Sequence, residues 1–314
     1  MDARTIIFLI IGLLLLLVSG KFLVESSVNI AKKFRIPPAI IGLTIVAFGT
    51  SAPELLVSVQ AAILGHPDMA MGNVIGSNIS NIFLVLAITA VIFPLPVKRN
   101  SVILDWPIMM AVTLLLAAFL MNLEISRIEG IVFLILLGGY ILLSVLQTKR
   151  NNNRKKEEVV VLKQHWIISV LIFTVSCVGL AFGADMLVSN ASIFAEYIGV
   201  SERVISISMV ALGTSLPELA TSIIAAFKKQ AEISIGNIIG SNIMNILSVL
   251  GITSIIQPIG TVKEVLRTDV PWMLGSAILL FLFMIPAKRG KLSRWEGAVM
   301  LMAYAFYIYF IFKS

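Results

Sequence analysis

Apolar runs of about twenty residues follow one another along almost the whole chain, separated by short breaks that carry lysine, arginine, proline or glycine. A helix needs roughly 20 apolar residues to cross a hydrocarbon core of ~30 Å. The runs predict ten such helices, near residues 5–30, 38–64, 70–92, 102–121, 129–147, 166–195, 203–227, 232–256, 270–287 and 295–312. The alternating ten-residue segments of a membrane β-barrel are absent. Arg4 followed by Ile6 to Val18 has the outline of a signal peptide. Leu23-Val24 and Ala31 recur as Leu187-Val188 and Ala195, however, so this segment reads as a permanent helix.

The same pattern repeats on a larger scale. An offset of 164 residues carries Val46-Ala47-x-Gly49-Thr50-Ser51-x-Pro53-Glu54-Leu55 onto Val210-Ala211-x-Gly213-Thr214-Ser215-x-Pro217-Glu218-Leu219. It also carries Gly72-Asn73-x-Ile75-Gly76-Ser77-Asn78-Ile79-x-Asn81-Ile82 onto Gly236-Asn237-x-Ile239-Gly240-Ser241-Asn242-Ile243-x-Asn245-Ile246, and Asp105-x-Pro107 onto Asp269-x-Pro271. Ser126-Arg127-x-Glu129-Gly130 matches Ser293-Arg294-x-Glu296-Gly297 at an offset of 167. Five helices in each half is an odd number, so the second half must thread the bilayer in the opposite sense. The expected fold is an all-α polytopic membrane protein of ten transmembrane helices, arranged as two five-helix inverted-topology repeats, a construction common in secondary transporters. The halves cover residues 1–148 and 165–314, joined by a flexible hydrophilic linker over 149–164.

Composition agrees with a membrane setting: 58% of the 314 residues are hydrophobic and 13% charged, about half the charged fraction of a soluble domain. The net charge of +7 sits in short loops with few interleaved aromatics, which argues against nucleic acid. Loops after the odd-numbered helices hold seventeen lysines and arginines and the opposite side six. That bias predicts a multi-pass protein of the cell membrane with a cytoplasmic linker and both termini outside. Cys177 is solitary and sits in an apolar run, as a buried, inert thiol would, and His66 and His165 have no metal-ligand partners at useful spacing.

The chemistry concentrates in the two proline-broken motifs. A glutamate at membrane depth costs at least ~2.5 kcal/mol, and Glu54 and Glu218 have no lysine or arginine nearby in sequence. Pro53 cannot donate to the Gly49 carbonyl, so the helix is expected to distort and free carbonyls around Ala47 to Thr50. Thr50 and Ser51 share the face of Glu54, and Ser77 shares one with Asn81; Thr214, Ser215, Glu218, Ser241 and Asn245 repeat the set. Two carboxylates, two amides, six hydroxyls and backbone carbonyls make an all-oxygen set suited to Ca²⁺ and Na⁺. Two carboxylates balance one Ca²⁺ or two Na⁺, so shared ligands would make the two loads mutually exclusive. Two other readings are a helix cap at a loop and a protonated glutamate pair bridging helices. The apolar flanks and the pairing at one offset favour the cation reading. Elsewhere, Lys21 and Glu25 are spaced to pair, Lys21 could meet its counterpart Asp185, and snorkelling to the interface is the default for all three. Asp105 and Asp269 precede prolines as boundary caps would.

These paired motifs resemble the two alpha repeats of the calcium/cation antiporter superfamily, most closely the prokaryotic Na⁺/Ca²⁺ exchangers, over nearly the whole chain. The resemblance implies a compact core from helices 2, 3, 7 and 8, against which helices 1 and 6 slide to alternate access. It implies ion coordination by Ala47, Thr50, Ser51, Glu54, Ser77 and Asn81, and by Ala211, Thr214, Ser215, Glu218, Ser241 and Asn245. Glu54 and Glu218 would be shared cation ligands in Na⁺/Ca²⁺ antiport, with Ca²⁺ and Na⁺ as transported ions, no cofactor, and a functional monomer in the lipid bilayer. Asn245 stands where some prokaryotic members carry aspartate, and the chain lacks the long cytoplasmic loop of animal relatives. H⁺/Ca²⁺ exchange, K⁺-dependent Na⁺/Ca²⁺ exchange and a cation channel are the competing functions. No nucleophile–base pair or closed metal site suggests an enzyme.

Overall fold

Inside a bilayer each backbone N–H and C=O must be satisfied within the protein, and a helix does this locally. The computed structural model describes residues 3–34, 36–152, 166–197, 213–285 and 290–313. Its helices are α1 (Ala3–Phe34), α2 (Gly42–Thr50), α3 (Ala52–Ile63), α4 (Pro67–Ile92), α5 (Ser101–Asn122), α6 (Arg127–Asn152), α7 (Trp166–Tyr197), α8 (Leu216–Phe227), α9 (Ala231–Ile256), α10 (Val265–Met284) and α11 (Arg294–Lys313). Among the described residues, seven are long and apolar enough to cross a membrane, and eight if α2 and α3 count as one bent span. The fold is thus an all-helical, polytopic membrane fold. Helix α8 is the described part of the expected span 203–227. Ala211, the start of that span and most of the linker lie outside the described residues.

Burial sorts the helices into layers. In α4 and α9, 72% and 89% of the most apolar window is buried, against 22–28% for the other long helices, so α4 and α9 are the central pair. The outer helices turn large side chains outward, among them Leu14, Leu142, Leu171 and Ile278. So wide an apolar surface suits lipid rather than water. The buried side chains fall into two clusters. One joins α4, α5, α6, α9, α10 and α11. The other joins Leu16 and Leu23 of α1 to Val46 of α2, Leu180 of α7 and Ala225 of α8.

The two sequence halves exchange contacts reciprocally. Strand β1 (Leu95–Pro96) pairs antiparallel with β4 (Lys291–Leu292), and β2 (Glu124–Ile125) with β3 (Ile259–Gly260). The repeat relates β1 to β3 and β2 to β4, so each half lends a strand to the other. Ser126 and Glu129 cap α6 reciprocally, and at α11 Glu296 Oε2 likewise accepts from the N–H and hydroxyl of Ser293. Beside these caps, Arg127 donates to the Ile256 carbonyl and Arg294 to the Ile92 carbonyl, again across halves (both 3.4 Å).

Three expectations are corrected. Asp105 and Asp269 make no cap bond; each closes a wide π-helical turn, Ser101–Asp105 and Val265–Asp269, inside the first part of its helix. Pro107 and Pro271 follow after one intervening residue, and a wide turn is one way a helix accommodates the missing proline N–H. Glu25 pairs not with Lys21 but with Lys228, just past α8, while Lys21 lies over the Phe22 ring, 5.6 Å from its centroid. Cys177 is half-buried on α7 rather than fully buried.

Candidate functional site

The break between α2 and α3 fixes the first half of the site. Ser51 leaves the helical range (φ −83°, ψ 6°), and the two helices meet at a 49° bend. Pro53 and Glu54 open α3, and Glu54 is fully buried. Ser215 has nearly the same conformation (φ −85°, ψ 0°) before Pro217 and Glu218 at the start of α8, where Glu218 is also fully buried. The proline break therefore gives both glutamates the same local setting. Ser51, three residues before Glu54, reaches across to Glu218, which ties the two settings together.

Cross-half hydrogen bonds hold the motifs together. Thr50 Oγ1 lies 3.2 Å from Asn237 Oδ1 and 3.4 Å from Ser241 Oγ; in mirror fashion, Thr214 Oγ1 lies 3.4 Å from Asn73 Oδ1 and 3.2 Å from Ser77 Oγ. Ser51 Oγ and Ser241 Oγ each donate to Glu218 Oε1 at 3.3 Å. Ser215 Oγ instead pairs with Ser80 Oγ at 2.7 Å. Deeper in, Asn81 Nδ2 donates to Asn242 Oδ1 at 3.1 Å. Asn81 and Asn245 each open a π-helical turn, Asn81–Leu86 and Asn245–Leu250, a local widening frequent at functional sites. The Ala47 carbonyl already accepts from Ser51 N (2.9 Å), and Thr50 Oγ1 lies 3.3 Å away.

What remains is a surplus of acceptors. Among the described residues, neither carboxylate oxygen of Glu54 has a hydrogen-bond partner, nor does Glu218 Oε2, Asn78 Oδ1, Asn81 Oδ1 or either polar side-chain atom of Asn245, so six unpartnered acceptor oxygens stand against one amide N–H₂. A buried polar group left unmade costs about 1–3 kcal/mol, more when charged. No lysine or arginine pairs with either glutamate, and no group of three or more His, Cys, Asp or Glu occurs among the described residues. Hard cations that bind through oxygen fit such a donor-poor set.

The eleven described members of the expected set thus lie in α2, the α2–α3 break, α3, α4, the residues just before α8, α8 itself and α9. Sequence reasoning missed a supporting layer. Asn73 Nδ2 donates to Ser58 Oγ (2.9 Å) and to the Glu54 carbonyl (3.2 Å), and Asn237 Nδ2 donates to Ser222 Oγ (3.4 Å). Each asparagine ties its own half's glutamate helix to the other half's threonine. The signal was available: Ser58 and Ser222 follow the glutamates by four residues, on the same helix face.

Comparison with known proteins agrees with this geometry. The profile of the family described as sodium/calcium exchanger protein matches residues 4–146 and 168–313. A putative antiporter, CaxA, of Alkalimonas amylolytica is 37% identical over 98% of both chains. The sodium/calcium exchanger MaX1 of Methanosarcina acetivorans is 30% identical, also over 98% of both. Among solved structures, the sodium-calcium exchanger NCX_Mj soaked with Na⁺ and Sr²⁺ superposes with a TM-score of 0.83 at 31% identity, covering 98% of each chain.

Proposed function

The chain belongs to the sodium/calcium exchanger protein family, and on that premise we propose that it is a Na⁺/Ca²⁺ antiporter in which Glu54 and Glu218 are shared cation ligands. The carrying observation is the buried acceptor surplus around these two carboxylates. Ca²⁺ takes six to eight oxygens, and its charge balances both glutamates. Sodium ions on the same carboxylates, with Ser51, Ser77, Ser215 and Ser241 hydroxyls alongside, would exclude it. Asn81 and Asn245 contribute neutral oxygens, and Ala47, Thr50, Ala211 and Thr214 complete the proposed ligand set.

The same reading takes the molecule as ten spans in two inverted five-helix repeats, 1–148 and 165–314, in the cell membrane, with the 149–164 linker in the cytoplasm and both termini outside. The reciprocal strand pairs support it, since each joins loops that this threading puts on one side. So do the Lys98–Glu232 ion pair (2.7 Å) and the Glu25–Lys228 pair, both on the proposed cytoplasmic side. Access alternates as α1 and α7 move together against the core. A backbone-close crossing of the two at Gly12 and Gly183, where small residues let membrane helices meet, favours this.

Isotopic calcium uptake into proteoliposomes tests the proposal, with sodium, potassium and proton gradients imposed separately. Uptake is expected with internal sodium alone. If three Na⁺ exchange for one Ca²⁺, it also responds to voltage, by roughly 2.3 kcal/mol per 100 mV per net charge. Uptake driven only by a pH gradient, or only with potassium present, would reassign the coupling ion; currents far above carrier turnover would make the protein a channel.

A finer expectation concerns the hydroxyls. Ser51→Ala and Ser241→Ala each remove one donor from Glu218 Oε1 but no charge. Each should raise the sodium concentration needed for half-maximal exchange several-fold while calcium affinity changes less. Equal losses for both ions would contradict this division.

A further inference from the structure

Helix α10 begins with a cation that the transport site does not use. Arg267 is exposed and, among the described residues, has no ion-pair or hydrogen-bond partner. Lys263, also exposed, precedes it by four residues and so shares its face. Exposed Glu264 is a near neighbour in sequence, while Asp269 is half-buried and almost half a helical turn round from Arg267. Arg267 and Thr268 line an open groove of about 230 Å³ with Pro271, Trp272 and Phe310. The Trp272 ring is braced by Phe306, Tyr307 and Phe310 of α11, with centroids 5.9, 5.3 and 6.5 Å away.

Two observations identify what this groove fits. First, its charged end lies in the opening turns of a spanning helix, at headgroup level, and its aromatic end runs toward the hydrocarbon, where tryptophan anchors are common. It lies on the side with only six of the basic residues, so the positive-inside bias does not account for Arg267. Second, the internal repeat supplies a comparison. The counterparts of Arg267, Thr268, Pro271, Trp272 and Phe310 are Ile103, Leu104, Pro107, Ile108 and Leu143. Only the proline is kept, so the helix pair does not need the polar and aromatic residues to fold. Ile103 and Leu143, 58% and 53% exposed, present a plain acyl-chain face.

We propose that the groove binds the phosphodiester of an anionic phospholipid of the phosphatidylglycerol type. The Arg267 guanidinium takes the two non-bridging phosphate oxygens, the Thr268 hydroxyl donates to one of the same two, and an acyl chain lies along Trp272 and Phe310. Exposed Lys263, four residues before Arg267, adds a second positive charge at this end of α10 and disfavours a cationic headgroup. The site is independent of the ion-binding residues.

Native mass spectrometry of the full chain in detergent tests it, with phosphatidylglycerol, phosphatidylcholine, a phosphate-free galactolipid and inorganic phosphate as probes. Wild-type protein should retain phosphatidylglycerol in preference to the other two lipids. Arg267→Gln should weaken that retention about tenfold, and Arg267→Lys, which keeps the charge without the fork, by less. Trp272→Ile should weaken retention of every lipid. Equal retention of phosphatidylglycerol by wild type and Arg267→Gln overturns the proposal, as does equal retention of the galactolipid. Displacement of the lipid by millimolar inorganic phosphate would also overturn it, because the site would then belong to the free anion.

Discussion

Calcium uptake into sodium-loaded proteoliposomes is expected to vanish in Glu54→Gln and in Glu218→Gln. Each substitution keeps the shape of the side chain and removes one of two negative charges facing a divalent ion. Taking one partner from a buried charge pair costs about 3–5 kcal/mol, and at ~1.4 kcal/mol per decade that is at least a hundredfold in affinity. The two variants should not fail identically. Glu54 has no hydrogen-bond donor on either oxygen, so its amide brings an N–H₂ group into a set whose unpartnered atoms are mostly acceptors. Glu218 already accepts from Ser51 and Ser241, whose hydroxyls can turn toward the new amide oxygen. Glu54→Gln is therefore the more damaging. A second readout has the opposite sign: without calcium or sodium, both variants should melt higher than wild type, because each replaces a fully buried carboxyl group that no lysine or arginine pairs with among the described residues by a neutral amide. Wild-type uptake in either variant would remove that glutamate from the site.

That asymmetry between the glutamates was not legible in the sequence, where the two motifs differ only by Ala52 against Leu216 within Gly-Thr-Ser-x-Pro-Glu. It arises from tertiary pairings. Residue 80 is serine in the first half and its counterpart, Met244, is apolar. Ser215 therefore has a hydroxyl partner that Ser51 lacks, and Ser51 turns to Glu218 instead. Local rules reach only to the next helical turn, so they put Thr50, Ser51 and Glu54 on one face and could not say which residues of the other half meet them.

What the sequence did carry were the hydropathy pattern, the repeat and the proline breaks. Hydropathy set helix ends to within a few residues, as at α5, expected from 102 and beginning at Ser101. It misjudged Asp105, because a carboxylate two residues before a proline near a helix start has the look of a cap. The preceding wide turn is a property of the packed helix, and no residue type announces it. For Lys21 and Glu25 the four-residue spacing was suggestive, but Glu25 pairs across the fold with Lys228, which hydropathy alone could not place.

Gly240→Ala is expected to lower the melting temperature and cut calcium transport severely, although no side chain of the site is touched. A methyl group at Gly240 would lie 2.5 Å from the Leu43 carbonyl oxygen and 2.7 Å from its Cα. Those are backbone atoms of α2, so no side chain can rotate away. The same crossing is tight from the other side, where a Cβ on Gly42 would lie 2.7 Å from the Ile233 carbonyl oxygen. Overpacking of this kind costs about 1–3 kcal/mol. Helix propensity alone would instead favour alanine by up to ~1 kcal/mol, so the sign of the result separates the two effects. The functional loss follows from position. Asn237 and Ser241 flank Gly240 on α9, and both lie within hydrogen-bond distance of Thr50, at the end of the helix that the methyl group would push away. The displaced Leu43 carbonyl would also lose the Tyr140 hydroxyl, now 3.3 Å away. Gly138→Ala supplies the control. That glycine is exposed on α6 with nothing within 4 Å of a Cβ, so its substitution should leave transport intact and stability unchanged or slightly raised. Wild-type melting and uptake in Gly240→Ala would mean that α2 and α9 do not meet backbone to backbone, and the crossing that sets Thr50 against Asn237 would have to be built differently.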